Sequence, residues 1–231
     1  MNKNKTTKPK RKKVKRKIRF DRIFLFLFIL CLLIGCFIFI WNLKISNIYI
    51  FHNEYLKDQE IIELAGISNY PSTVQNLSFR IKKKLESSPY IKEANVTKKW
   101  FTKVYIDIVE NRPLFFYSDT DSTILLDGTS IEKKYSVPTV LNYITDTYFD
   151  DFVVEMGKLD TSILSRISEI KFYPNEVDDN RFLLSMSDGN YVYVNISTFH
   201  KLNKYISILE SLPSEKGILY LDYGNNFEII K

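Results

Sequence analysis

The feature that most constrains this chain is an uncharged apolar run of nineteen residues, Ile23 to Trp41. At about 1.5 Å per residue, a helix of this length nearly spans the roughly 30 Å hydrocarbon core of a bilayer. The residues before it include twelve basic side chains and a single acidic one. Basic residues beside a membrane span stay preferentially in the cytoplasm. We therefore expect a basic cytoplasmic tail at 1–22, a transmembrane helix at 23–41, and the remaining 190 residues outside the cytoplasmic membrane.

A cleaved lipoprotein signal is the alternative interpretation of this run. Leu33-Ile34-Gly35-Cys36 has a small residue followed by cysteine, which is the form of a bacterial lipoprotein cleavage site. Five more apolar residues follow Cys36, however, where a mature lipoprotein normally turns polar. The run is also longer than the apolar region of about 7–15 residues in a signal peptide. We expect an uncleaved anchor.

The net charge of +6 hides two oppositely charged parts. The tail holds 12 of the 33 basic residues and 1 of the 27 acidic ones, which leaves 21 basic and 26 acidic residues outside it. The rest of the chain is therefore near −5, and the basic residues lie beside a membrane span. Topology and attraction to anionic headgroups explain such residues, so no nucleic-acid partner is predicted. Both cysteines lie in the apolar run, so the outer part must fold on a packed core without disulfides.

The first outer segment predicts a two-layer α+β module, with two helices on one face of a three-stranded sheet. Apolar residues at Leu77, Ile81 and Leu85 have the spacing of one buried helical face. The predicted elements are a strand at Ile45–Phe51, a helix from Asp58 that Gly66 ends, a helix at about Val74–Ser87, and a hairpin whose strands begin at Ile91 and Val104.

The second half predicts a mixed β-domain with a C-terminal helix and edge strands. Two alternating runs, Phe182–Met186 and Tyr191–Val194, flank Asp188-Gly189, which is a strong hairpin signal. The other predicted elements are a strand and turn at Ile124–Gly128, a helix at Ser197–Leu212 with Leu202, Tyr205, Ile206 and Leu209 on one face, and strands at Leu219–Tyr223 and Phe227–Ile230.

No catalytic constellation is present in the sequence. His52 and His200 lie 148 positions apart without metal-like partner spacing, and no nucleophile or phosphate-loop motif occurs. The acidic pairs Asp150-Asp151 and Asp178-Asp179 lack further spaced oxygen ligands, so we expect solvated loop residues rather than calcium sites. We predict no enzyme activity, no cofactor, no metal and no small-molecule substrate.

Two stretches carry a family resemblance: HNEYLKDQEIIELAGI (His52–Ile67) and SPYIKEANVTKKWFTKVYIDIVENRP (Ser88–Pro113). They resemble the POTRA module of the FtsQ/DivIB bacterial cell-division proteins. The local matches are Asn53, Pro89-x-Ile91-x-x-Ala94-x-Val96, Glu110-x-x-Pro113 and the apolar-Pro segment Val137-Pro138. Trp100-Phe101 stands where the family usually has Trp-Pro, so we expect a different hairpin turn. The resemblance implies a POTRA domain at 42–114 and a β-domain at 115–231.

The resemblance also implies a function, that of a non-enzymatic divisome scaffold at the division septum. Such proteins bind FtsL and FtsB/DivIC-type partners outside the membrane through the C-terminal part of the β-domain. An open sheet edge can accept a partner strand, and aromatic residues dominate interface hot spots. The candidate contact residues are Tyr220, Leu221, Tyr223 and Phe227. We expect about half of them to be core residues, because alternate strand residues face inward.

Two other functions stay open at this point. POTRA modules also occur in proteins of export and outer-membrane assembly, which add further POTRA repeats or a β-barrel; the sequence up to Lys231 signals neither. An anchored cell-wall enzyme is the third possibility, and it would need the nucleophile, base or metal set that the motifs lack.

Overall fold

The fold is described by a computed structural model for residues 20–211, 216–224 and 226–230. Most of the predicted basic tail lies outside the described residues, as do Leu212 and Pro213 near the end of a predicted helix. The described chain forms one long apolar helix followed by two sheets, each with helices packed on one face. The fold class is α+β, as predicted.

The long helix α1 runs from Phe20 to Asn42 and contains the whole apolar run. Its 23 residues extend for about 34 Å, which is enough to cross a bilayer. None of its residues is buried by the described part of the chain. Its apolar surface is therefore left for another apolar medium to cover.

A small module follows, made of one three-stranded sheet and two helices. Its elements are β1 (Asn47–Phe51), α2 (Asp58–Ala65), α3 (Ser78–Glu86), β2 (Ile91–Lys99) and β3 (Lys103–Glu110). The strand order is β1-β3-β2; β1 runs parallel to β3, and β2 pairs with β3 antiparallel. This is the predicted arrangement of strand, two helices and a hairpin.

The core of the small module forms where α2 and α3 cover one face of the sheet. Ile81 and Leu85 are fully buried there, as the spacing predicts. The third residue of that spacing, Leu77, is 42% exposed, because α3 begins at Ser78 and Leu77 precedes it in extended backbone. Gly66 ends α2 in the left-handed conformation at φ 65°, which confirms the predicted stop.

A large module contains the nine-stranded sheet. Its elements are β4 (Pro113–Tyr117), β5 (Ser122–Leu125), β6 (Ser130–Ile131), β7 (Thr139–Val140), α4 (Asp146–Gly157), α5 (Thr161–Leu164), β8 (Ile167–Phe172), β9 (Arg181–Met186), β10 (Tyr191–Asn195), a 3-10 helix (Ile196–Lys204), α6 (Tyr205–Glu210), β11 (Gly217–Tyr220) and β12 (Asn226–Ile229). The strand order is β12-β11-β10-β9-β8-β7-β4-β5-β6. The predicted hairpin at Asp188-Gly189 joins β9 to β10 and is confirmed.

Aromatic rings fill the core of the large module, between the sheet and its helices. Phe152 from α4 stacks on Phe182 from β9 with ring centroids 4.7 Å apart, and Phe199 meets both rings edge-on. Leu202 and Tyr205 are fully buried, as the predicted helical face requires. The first part of that helix is 3-10 rather than α-helical.

Polar contacts tie the two modules together. The Arg112 guanidinium donates to the carbonyl oxygens of Gly157 (2.8 Å) and Leu159 (3.1 Å) at the end of α4. Lys133 Nζ lies 2.6 Å from Glu60 Oε1 on α2. The division at residue 114 stays a prediction; β4, which begins at Pro113, belongs to the nine-stranded sheet.

Candidate functional site

Strand β12 forms one edge of the nine-stranded sheet, and no described strand pairs with its outer side. It pairs antiparallel with β11, where the Ile230 N–H donates to the Lys216 carbonyl oxygen at 3.0 Å. Backbone groups alternate in direction along an antiparallel strand, so the N–H and C=O groups of Phe227 and Ile229 point away from β11. This edge therefore presents a short row of backbone donors and acceptors that no other strand among the described residues pairs with.

A groove lies beside this edge, with a volume of about 440 Å³. We call it the edge groove. Its lining residues are Asn175, Arg181, Tyr220, Asp222, Tyr223, Asn226, Phe227 and Glu228. Three of the four residues singled out from the sequence are in this set, next to the free backbone groups of β12.

The four predicted contact residues occupy different positions. Tyr223 is 58% exposed, in the turn between β11 and β12. Tyr220 is half-buried on the sheet face away from the helices, whereas Phe227 is on the opposite face and packs against the core above Gly217. Leu221 is 0% exposed, so its side chain is a core residue and not part of the surface.

The predicted strand Leu219–Tyr223 ends earlier than expected, because β11 stops at Tyr220. The backbone N–H groups of Leu221 and Asp222 both donate to the Tyr193 carbonyl oxygen, and Lys201 Nζ donates to the Leu221 carbonyl oxygen at 3.1 Å. These bonds hold Leu221 against the core and direct the following residues outward. Tyr223 is thus presented by a turn rather than by a strand.

A buried ion pair braces this turn. Arg181 Nε lies 2.7 Å from Asp222 Oδ2, and the two side chains are 12% and 1% exposed. Asp222 Oδ1 also accepts the backbone N–H of Tyr223 at 2.9 Å. Removing one member of a buried pair leaves the other charge uncompensated, at a cost of about 3–5 kcal/mol. The position of Tyr223 therefore depends on Arg181, which lies 41 residues before Asp222 in the chain.

A row of tyrosines extends the surface from the edge groove across the sheet. Tyr220 stacks on Tyr193 with ring centroids 5.4 Å apart, and Tyr193 contacts Tyr173 at 6.1 Å. The Arg181 guanidinium lies 3.6 Å above the Tyr193 ring, a close cation–π contact. The Tyr220 hydroxyl donates to Glu228 Oε2 at 2.9 Å, and this bond to a carboxylate raises the pKa of Tyr220. The row is amphipathic, because each tyrosine ring is apolar and carries a polar hydroxyl.

Sequence reasoning did not identify Arg181, Asp222 or Tyr193 as part of this surface. Arg181 follows an Asp-Asp-Asn segment and reads as an ordinary surface residue. Its ion-pair partner, Asp222, follows β11, and the two residues come together only because β10 lies between β9 and β11 in the sheet. The alternation of Tyr191 and Tyr193 with buried valines was the one available signal for the tyrosine row.

In the described residues, no group of three His, Cys, Asp or Glu could hold a metal ion. His52 Nδ1 lies 2.6 Å from Asp107 Oδ1, but both side chains are exposed at the surface of the small module. Asp150 and Asp151 are exposed as expected but lie in α4 rather than in a loop. Asp178 is buried and accepts a 2.8 Å hydrogen bond from Asn195 Nδ2, so it is a structural residue and not a solvated one.

Comparison with known proteins identifies both the first module and the chain. Residues 43–111 match the profile of the POTRA domain of FtsQ type. The cell division protein DivIB of Leuconostoc kimchii is 31% identical over 182 residues, which are 73% of this chain and 72% of that protein. DivIB of Bacillus subtilis is 28% identical over 214 residues, covering 89% of this chain and 81% of that protein.

A solved structure is also similar, the major extracytoplasmic domain of the cell division protein DivIB from Geobacillus stearothermophilus. It aligns with 45% of this chain and 95% of its own length, at 21% identity and a TM-score of 0.36. The two sequence matches cover 73% and 89% of this chain. They confirm the resemblance: this chain belongs to the DivIB family of bacterial cell division proteins.

Proposed function

We propose that this protein is a non-enzymatic scaffold of the divisome, which binds FtsL and FtsB/DivIC-type proteins outside the cytoplasmic membrane and supports septum formation. The observation that carries the proposal is the free edge of β12 beside the aromatic edge groove. Membership of a cell-division family supplies the setting in which that edge would be used.

The proposed topology has one membrane span. The basic tail at 1–22 lies in the cytoplasm, α1 crosses the cytoplasmic membrane, and both modules lie outside it at the septum. The twelve basic residues of the tail, next to the span, support this orientation. An anchored protein meets a tethered partner at high effective concentration, so a modest intrinsic affinity is enough for assembly.

The proposed binding mode is strand addition. A partner segment in extended conformation would hydrogen-bond to the outward backbone groups of Phe227 and Ile229. Its alternate side chains would reach the edge groove, where Tyr220 and Tyr223 present amphipathic rings. The Arg181–Asp222 pair is already neutralised within the protein, so it would shape the groove without demanding a charged ligand.

A single backbone substitution tests this mode. Ile229→Pro removes an outward N–H from β12 without removing a bond to β11. Loss of one hydrogen bond costs about 1 kcal/mol, so we expect the dissociation constant for soluble FtsL–DivIC ectodomains to rise about fivefold or more. The measurement is isothermal titration calorimetry with the full chain in nanodiscs.

The matched control is Ile229→Ala, which removes the side chain and keeps the N–H; it should bind more tightly than Ile229→Pro. A charge in the edge groove, Tyr223→Asp, should also weaken binding, whereas Val154→Asp on the exposed face of α4 should not. Absence of any binding by the unmodified chain would contradict the proposal, and equal affinities of the alanine and proline variants would contradict strand addition.

A further inference from the structure

The turn between β2 and β3 presents two large aromatic side chains to the surroundings. Trp100 is 84% exposed and Phe101 is 75% exposed. Both residues have positive φ angles, 54° and 58°, a conformation that is uncommon for bulky side chains. Proline cannot adopt the φ of Phe101, so this turn differs from one with the family's Trp-Pro. We call Trp100–Thr102 the aromatic turn.

Hydrogen bonds place the aromatic turn at the end of α1. The Ser46 N–H donates to the Thr102 carbonyl oxygen at 2.8 Å. Ser46 comes only four residues after Asn42, the last residue of α1. Four residues of extended chain span at most about 14 Å. Ser72 Oγ also donates to the Trp41 carbonyl oxygen at 2.8 Å. The turn therefore stays close to the helix end whatever the tilt of α1.

The apolar surface of α1 continues into this region. A groove of about 370 Å³ is lined by Ile40, Thr73, Val74, Leu77, Lys98, Trp100 and Phe101. Ile40 belongs to α1, and the aromatic turn lines the same groove. Leu77, which does not reach the core of the small module, is on this surface and is 42% exposed. One contiguous apolar surface thus joins the helix to the small module.

The aromatic turn is held firmly in place. Lys98 Nζ donates to the Thr73 carbonyl oxygen (2.7 Å) and to Thr73 Oγ1 (2.9 Å), and it also contacts the Asn76 carbonyl oxygen. Thr73 Oγ1 in turn donates to the Phe101 carbonyl oxygen. These bonds fix the loop before α3 against the backbone of the turn, so the turn keeps its place beside the end of α1.

We infer that Trp100 and Phe101 insert into the boundary between headgroups and acyl chains on the outer face of the membrane, and so form a second membrane contact beside α1. Tryptophan is enriched at this boundary because its ring is apolar and its N–H is polar. The contact would fix the orientation of the small module relative to the bilayer. The inference rests on the proposed function in one respect, namely that α1 spans the membrane.

Tryptophan fluorescence tests the inference, because the chain contains only Trp41 and Trp100. The full chain is reconstituted into vesicles of phosphatidylglycerol and phosphatidylethanolamine, with part of the lipid brominated on the acyl chain near the headgroup. In the Trp41→Phe variant, Trp100 is the sole indole. We expect blue-shifted emission that brominated lipid quenches about twofold, as for an interfacial tryptophan. Emission typical of water, without quenching, would overturn the inference.

Two controls separate the possible failures. In the Trp100→Phe variant, Trp41 alone reports on α1. If Trp41 is quenched in this variant but Trp100 is not quenched in Trp41→Phe, this inference alone is overturned. If neither indole is quenched, the proposed membrane anchor is overturned as well. A chain with both native tryptophans replaced and Val177→Trp added reports on an exposed site of the large module. That indole should remain unquenched, and quenching there would show that the signal is not specific to the aromatic turn.

Discussion

The two modules use aromatic residues in opposite ways. The buried cluster of the small module contains only isoleucine, leucine, valine and alanine, and none of its phenylalanine or tyrosine side chains is buried. On the outer face of its sheet, Tyr49 stacks on Tyr105 at 4.8 Å. The large module buries Phe152, Phe182 and Phe199 completely. Stacked and edge-on rings stabilise a core beyond their buried area. Aromatic residues therefore stabilise the core of the large module, whereas on the small module they are available for contacts with other molecules.

The largest expected effect on stability comes from removing an aromatic ring from the core of the large module. Phe182→Ala removes a ring that contacts Phe152, Phe172 and Phe199, and we expect the free energy of unfolding to fall by about 3–5 kcal/mol. Tyr49→Ala on the small module removes an exposed ring and should change it by less than about 1 kcal/mol. Urea denaturation of the solubilised chain measures the free energy of unfolding of both variants. Equal losses in the two variants would contradict the different roles of aromatic residues in the two modules.

An intermediate effect is expected from breaking the buried ion pair of the large module, compared with the partly exposed ion pair between the modules. Arg181→Met leaves Asp222, which is 1% exposed, without its partner, and should cost about 3 kcal/mol. Lys133→Met removes the ion pair with Glu60 between the modules, where both side chains are about one third exposed, and should cost less than about 1 kcal/mol. The same denaturation assay applies. Adding Asp222→Leu to Arg181→Met should restore part of the loss, and failure to do so would point to a packing role for the arginine.

The smallest expected effect has the opposite sign. Phe101→Gly relieves the positive φ at the aromatic turn, so we expect the free energy of unfolding to rise by up to about 1 kcal/mol. Phe51→Gly removes a less exposed ring (45%, against 75% for Phe101) from β1, where φ is not positive, and should lower stability by about 1 kcal/mol. A loss of stability in Phe101→Gly would show that the ring supports the fold rather than a contact.

The small module was predictable because its signals are local. Gly66 stops α2, and the spacing of Ile81 and Leu85 marks the buried side of α3. In the large module β4 was missed, because nearly all of its residues are buried and the strand shows no alternation. Helix α4 was missed although Phe152, Val153 and Met156 have helical spacing, which was an available signal. Alternation of apolar and polar residues marks a strand with one buried face, and it is absent from a strand that is covered on both faces.

The candidate site was predictable only in part, for a related reason. Tyr220, Tyr223 and Phe227 lie in the edge groove as aromatic residues of the last predicted strands. The burial of Leu221 depends on where β11 ends, and the brace from Arg181 depends on the order of three strands. Both are properties of tertiary structure. Local pattern therefore located the surface but not the residues that hold it in shape.

The open edge of β12 also has a consequence for solubility. Ile229 and Ile230 are 44% and 45% exposed beside unpaired backbone groups, and edges of this kind join readily to other extended chains, including further copies of the same protein. An unoccupied copy therefore carries an aggregation hazard wherever it meets others. A partner strand bound at β12 would remove that hazard by pairing with the edge, so binding would protect this protein as well as recruit the partner.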